Sequence, residues 1–94
     1  MNNVIQDMES SGTYNITEDG IVIGYLSVSN TSIVYTASVK LDGVIVSTIS
    51  TSGRSTESDS SFVYLPVKAG QVITIVKSHE TEVNTKIKQY GFLK

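Results

Sequence analysis

Few residues in this chain could do chemistry. A serine nucleophile needs a base and an orienting acid, and His79 is the one histidine among 94 residues. It stands in Lys77-Ser78-His79-Glu80-Thr81-Glu82, which reads as a hairpin loop. A solvated loop histidine is the expectation there, and one imidazole with Glu80 and Glu82 is a weak metal set. Paired carboxylates act on sugars when a rigid, partly desolvated setting separates their roles. Glu18 with Asp19 closes a turn at Gly20, and Glu57 with Asp59 lies in the polar run Ser47 to Ser61. Neither setting tunes a carboxyl group. No phosphate-binding glycine loop or dinucleotide fingerprint is present, and no cofactor is expected. Binding suits the residues better than catalysis. Arg54, Ser55, Thr56, Glu57 and Asp59 form a loop dense in hydrogen-bonding groups and are the candidate ligand contacts. Tyr14, Tyr25, Tyr35, Tyr64 and Tyr90 could stack on sugars, or pack in strands with the hydroxyl at the rim.

The elements that would position these groups are strands. The chain holds 12 Val, 10 Ile and 10 Thr against 2 Ala and 4 Leu. Side chains branched at Cβ are stiff and favour a pleated sheet. Turn signals recur at Glu18-Asp19-Gly20, Ser29-Asn30-Thr31, Asp42-Gly43, Ser50 to Ser60, Ala69-Gly70 and Ser78 to Glu82. Asp-Gly between apolar runs marks a hairpin, because the turn needs residues that tolerate positive φ. The spacing predicts strands near 12–17, 21–29, 32–41, 44–50, 61–67, 71–77 and 83–92. Strands this short and regular make a β-sandwich or jelly roll.

The alternation assigns faces. Val83, Thr85 and Ile87 point one way while Asn84, Lys86 and Lys88 point the other, the mark of a half-wet strand. Ile21 to Leu26, Val44 to Val46 and Phe62 to Leu65 are apolar on both faces, and Val72 to Val76 nearly so. A two-layer sandwich covers one face of each sheet. The second apolar face then needs another cover, and a further copy of the chain is the simplest.

Charge and composition exclude several classes. The net charge is −2 and the sequence pI about 5.2, opposite to the basic footprint of a nucleic-acid binder. Without cysteine there is no disulfide or thiolate metal site. No apolar run approaches the ~20 residues of a membrane-spanning helix. The opening residues lack the basic start and apolar core of a secretory leader, so synthesis without export is the expectation.

Particular stretches carry a family resemblance. Gly12-Thr13-Tyr14-Asn15-Ile16-Thr17-Glu18-Asp19-Gly20-Ile21-Val22-Ile23-Gly24 resembles the opening strands of small trimeric knob domains. Phe62 to Ile75, with Leu65-Pro66-Val67-Lys68-Ala69-Gly70-Gln71-Val72 at its centre, resembles their late hairpin. Lys88-Gln89-Tyr90-Gly91-Phe92-Leu93-Lys94 is similar to the terminal strand of tumour-necrosis-factor and C1q-like jelly rolls and of knobs on bacteriophage tail and head fibres. The resemblance implies a homotrimer that caps or decorates a virion and touches the host surface.

The reading is therefore an all-β, compact antiparallel sandwich or jelly roll of about seven to eight strands. Residues 1–11 would form an N-terminal attachment segment to other virion proteins, and 12–94 the knob. Phe62, Tyr64 and Phe92, with Tyr25 and Tyr35 behind them, are the expected trimer contacts. The partners are further copies of the chain, virion proteins and a host glycan, without nucleic acid or membrane insertion. A carbohydrate-binding module of a larger protein, or a tail or baseplate adaptor acting through Met1–Ser11, are the alternatives. The first would present an aromatic platform, usually of tryptophan, which this chain lacks.

Overall fold

The computed structural model describes residues 3–54 and 57–92. Eight strands follow in order: β1 (Val4–Asp7), β2 (Gly12–Asn15), β3 (Gly20–Thr31), β4 (Thr36–Leu41), β5 (Val44–Ser50), β6 (Glu57–Val67), β7 (Val72–Lys77) and β8 (Asn84–Gly91). They form two four-stranded antiparallel sheets, ordered β1-β8-β3-β6 and β2-β7-β4-β5. Successive strands mostly switch sheets, which makes the sandwich a jelly roll.

Period-two alternation builds the core. Val22, Leu26 and Val28 of β3 point inward with Val63 and Val67 of β6 and Ile87 of β8. Ala37 and Val39 of β4, Ile49 of β5 and Ile73 and Ile75 of β7 meet them from the second sheet. Ile16, Tyr35 and Val83 close the core from the loops. The β4–β5 turn is the one Asp-Gly announced: Asp42 and Gly43 take φ of 50° and 83°. The Asp42 carboxylate also accepts the Val72 N–H at 2.9 Å, tying this hairpin to the β6–β7 turn.

Two stretches differ from the sequence expectation. The described part of the N-terminal segment, residues 3–11, packs on the sandwich. Val4–Asp7 is an edge strand on β8, and Met8 is fully buried in the core with its N–H donated to the Ile87 carbonyl. Short polar flanks concealed a strand whose pairing partner lies at the far end of the sequence. The run 32–41 also begins late as a strand, at Thr36. Its first residues are held instead by Thr51, whose hydroxyl accepts the Tyr35 N–H and donates to the Ile33 carbonyl.

Buried polar groups stitch strand ends together. Gln89, fully buried on β8, donates to the Glu18 carbonyl and accepts from Gln6 of β1. Lys77 leaves 4% of its side chain exposed, its ammonium 2.8 Å from the Glu9 carbonyl and 3.5 Å from Glu80. The Thr85 hydroxyl is buried without a hydrogen-bond partner among the described residues.

Gly24 lets β3 and β8 approach each other. A Cβ there would fall on the Lys86 carbonyl oxygen and 2.6 Å from the Ile87 Cα. Backbone on both sides leaves no room to yield, so Gly24→Ala is expected to destabilise the fold by about 3 kcal/mol, the upper range for overpacking. Urea unfolding monitored by far-ultraviolet circular dichroism reads this as a lowered midpoint at unchanged slope.

Candidate functional site

The described part of the predicted ligand loop lies at the end of the sandwich opposite Asn3 and Gly91. The Gly91 N–H donates to the Asn3 carbonyl at one end, while Thr31 of β3 pairs with Glu57 at the other. Of the five predicted contacts, Ser55 and Thr56 lie outside the described residues. Arg54 is exposed. Glu57 and Asp59 turn inward and hold the loop. The Glu57 carboxylate accepts the Ser52 hydroxyl at 2.8 Å, the Ser52 N–H at 3.1 Å and the Arg54 N–H at 2.9 Å. Asp59 accepts the Ser50 N–H of β5 at 2.9 Å, and Ser47 meets Ser61 hydroxyl to hydroxyl at 2.6 Å. These contacts join β5 to β6 along the side where the two sheets meet. The two acids predicted to bind a ligand thus shape the loop. What remains outward is an open groove lined by Ser27, Val28, Ser29, Ser58, Asp59 and Ser60.

The histidine loop serves packing too. His79 is half-buried, not solvated, with its ring edge-on to Tyr35 at 4.4 Å between centroids. Its Nδ1 lies 2.9 Å from the Ser78 hydroxyl, which also accepts the Thr36 N–H. Glu80 accepts the Ser11 N–H, and Glu82 accepts the Thr81 hydroxyl. Hydrogen bonding from Ser11, joined by the charge of Lys77, holds the Glu80 carboxyl below its ordinary value. Among the described residues no three His, Asp or Glu side chains gather as metal ligands.

The outer face of the first sheet is the exceptional surface. Strand register places side chains in rows across it, since directly opposed residues share a face. One row runs Val4, Tyr90, Ile21, Pro66; the next Asp7, Lys88, Ile23, Tyr64; the next Lys86, Tyr25, Phe62. Then the chemistry changes to Asn84, Ser27 and Ser60. Phe62 is 81% exposed and Tyr64 72%. Tyr25, Phe62 and Tyr64, predicted separately as contact residues, are therefore neighbours on one face. Phe92 is half exposed at the end of the sheet, beside Thr17, Glu18, Asp19 and Ala69. Tyr35 is corrected: it is 7% exposed and belongs to the core, out of reach of a partner chain. The sequence missed Ile21, Ile23 and Pro66 as members of the face, although the doubly apolar run Ile21 to Leu26 contained the first two and Pro66 directly follows the run Phe62 to Leu65. A second exposed apolar group, Val44, Ile45 and Val46, occupies the start of edge strand β5.

No protein-family model and no curated protein sequence matches the chain. Among solved structures the fold is similar to that of GITRL from bushbaby, with a TM-score of 0.57 and 16% identity over 86% of this chain and 69% of that one. At that identity the likeness is one of fold, and it identifies the two sheets as a tumour-necrosis-factor-like jelly roll.

The loop geometry sets a pH dependence. Hydrogen bonding from the Ser52 hydroxyl chiefly, joined by the Arg54 and Ser52 N–H groups and the Arg54 charge, holds Glu57 below its ordinary value of 4.5 against the opposing effect of desolvation. A depressed folded value means that the order Glu57 supplies is complete above pH 4.5 and is lost as the pH falls through the lower value. Glu57→Gln should reproduce the loss at neutral pH. Amide exchange at Ser52 and Arg54, expressed as protection factors, is expected to fall in both cases while that of β3 stays unchanged.

Proposed function

We propose that this chain is a non-enzymatic trimeric knob of a bacteriophage virion, a fibre tip or capsid decoration that meets the host surface. The observation that carries the reading is the outer face of the first sheet, where Ile23, Tyr25, Phe62 and Tyr64 lie side by side without cover. Monomeric proteins rarely expose a contiguous apolar patch of this kind. Closing the patch with copies of the same chain around a threefold axis hides it without leaving an open-ended array. The tumour-necrosis-factor-like fold supports the same arrangement, and the resemblance of the terminal segments to phage fibre knobs supports the virion setting.

In this reading the termini sit at the attachment end and the 51–57 loop faces the host. Exposed Arg54 and the serine-lined groove at that end are the surfaces offered to a glycan. Each contact would be weak, and three copies on one rigid knob would raise the avidity through effective concentration.

Light scattering behind a sizing column at micromolar concentration tests the assembly. A mass of three chains is expected for the wild type and of one chain for Phe62→Lys/Tyr64→Lys, because a lysine at each position places an unpaired charge in the apolar contact. A monomeric wild-type chain would sink the trimer, and an unchanged trimer in the double variant would place the contact elsewhere. An array of host-derived glycans then tests the distal end, where loss of signal on Arg54→Ala is the expected result.

A further inference from the structure

The apolar face has two cations in it. By register Lys86 lies beside Tyr25 and Lys88 between Asp7 and Ile23, within the rows that end in Phe62 and Tyr64, and Glu9 reaches the Lys86 ammonium from the residues after β1. An unpaired ammonium carried into an apolar contact is costly, and around a threefold axis every copy would bring two. Strand β1 and the residues after it supply the answer. Asp7 Oδ1 receives the Lys88 ammonium at 2.6 Å, and Glu9 Oε1 stands 3.8 Å from that of Lys86. The remaining ion pair among the described residues, Lys77 with Glu80, fastens the same stretch: Lys77 donates to the Glu9 carbonyl, and Glu80 accepts the Ser11 N–H.

Apart from its ladder with β8, β1 is held by Gln6, whose amide donates to the Asn15 carbonyl and to Gln89, and by the Gly91 N–H donated to the Asn3 carbonyl. The strand is four residues long, lies at a sheet edge, pairs with β8 alone and breaks register between Val4 and Gln6. Beyond it, buried Met8 pins the chain to the core. We infer that β1 and the residues just after it form a charge-neutralising strap, whose Asp7 and Glu9 cancel Lys88 and Lys86 and so license self-association through the outer face of the first sheet. The inference rests on the trimer reading and adds its regulation. The Asp7 hydrogen bond holds Lys88 above the ordinary lysine value, so the lysine stays charged and the cancellation depends on Asp7 and Glu9.

Four chains test it: wild type, Asp7→Asn/Glu9→Gln, Lys86→Gln/Lys88→Gln, and the quadruple variant. Sedimentation over a dilution series at low ionic strength reads association, and hydrogen exchange reads the Val4–Asp7 amides. Each double variant leaves like charges unpaired and is expected to associate at least tenfold more weakly than wild type. The quadruple variant, with no charge left, is expected to recover. Salt of about 1 M, where the screening length is about 3 Å, should narrow the gap between the double variants and wild type. Asp7→Asn/Glu9→Gln should also lose exchange protection across β1, with β3 unchanged. Association as tight as wild type in that variant, or no recovery in the quadruple, overturns the inference. A wild type that stays monomeric removes the trimer and the licensing role together. The strap is then judged on exchange alone: lost protection across β1 supports it, and unchanged protection overturns it.

Discussion

A β-strand has two faces, and a two-layer sandwich buries one of them. Everything distinctive about this molecule follows from strands that are apolar on both. β3 and β6 each give their even or odd residues to the core and still carry Ile21, Ile23, Tyr25, Phe62 and Tyr64 on the reverse. The intrachain core is satisfied without these side chains. The core and the reverse face draw on different residues of the same two strands. Core substitutions on β3 and face substitutions on β3 are thus separable experiments even at adjacent positions.

Polar groups follow a complementary logic. The acids of this weakly charged chain are spent on its own backbone and lysines. Glu57 shapes the distal loop, Asp59 bridges the sheets, Asp42 binds one turn to another, and Asp7 and Glu9 hold the first strand against the last. Side chains shorter than the gaps they span need rigid surroundings, and the jelly roll supplies them by bringing distant segments edge to edge.

Much of this was legible in the residues. β-Branched composition and regular turn signals specify an antiparallel sandwich, and Asp42-Gly43 specifies its hairpin down to the positive φ values. The doubly apolar runs identify β3 and β6 as strands with a face to spare. Three of the five aromatic contacts named from sequence lie together on that face. What was illegible depends on pairing across the chain. Tyr35 reads like Tyr25 by local pattern, yet Thr51, sixteen residues later, draws it into the core. β1 has too few apolar residues to announce itself, and only β8 makes it a strand. Glu57 and Asp59 look like a ligand site because sequence shows a carboxylate's charge but not which N–H groups will occupy it. Val44 to Val46 are apolar on both faces because a hairpin tip overhangs the core, a matter of strand length that alternation does not express.

The position of β8 has a consequence in time. It is the last strand in the chain and yet an interior strand of its sheet, lying between β1 and β3. Until it has been synthesised, β1 has no partner at all and β3 is paired on one side only. Native contacts between such remote segments close large loops, and folds dominated by them form slowly. Until β8 is made, Val- and Ile-rich β3 keeps one edge open to pairing with other chains. A single late event, the insertion of β8, completes the first sheet, brings Asp7 and Lys88 together and creates the outer face in one step.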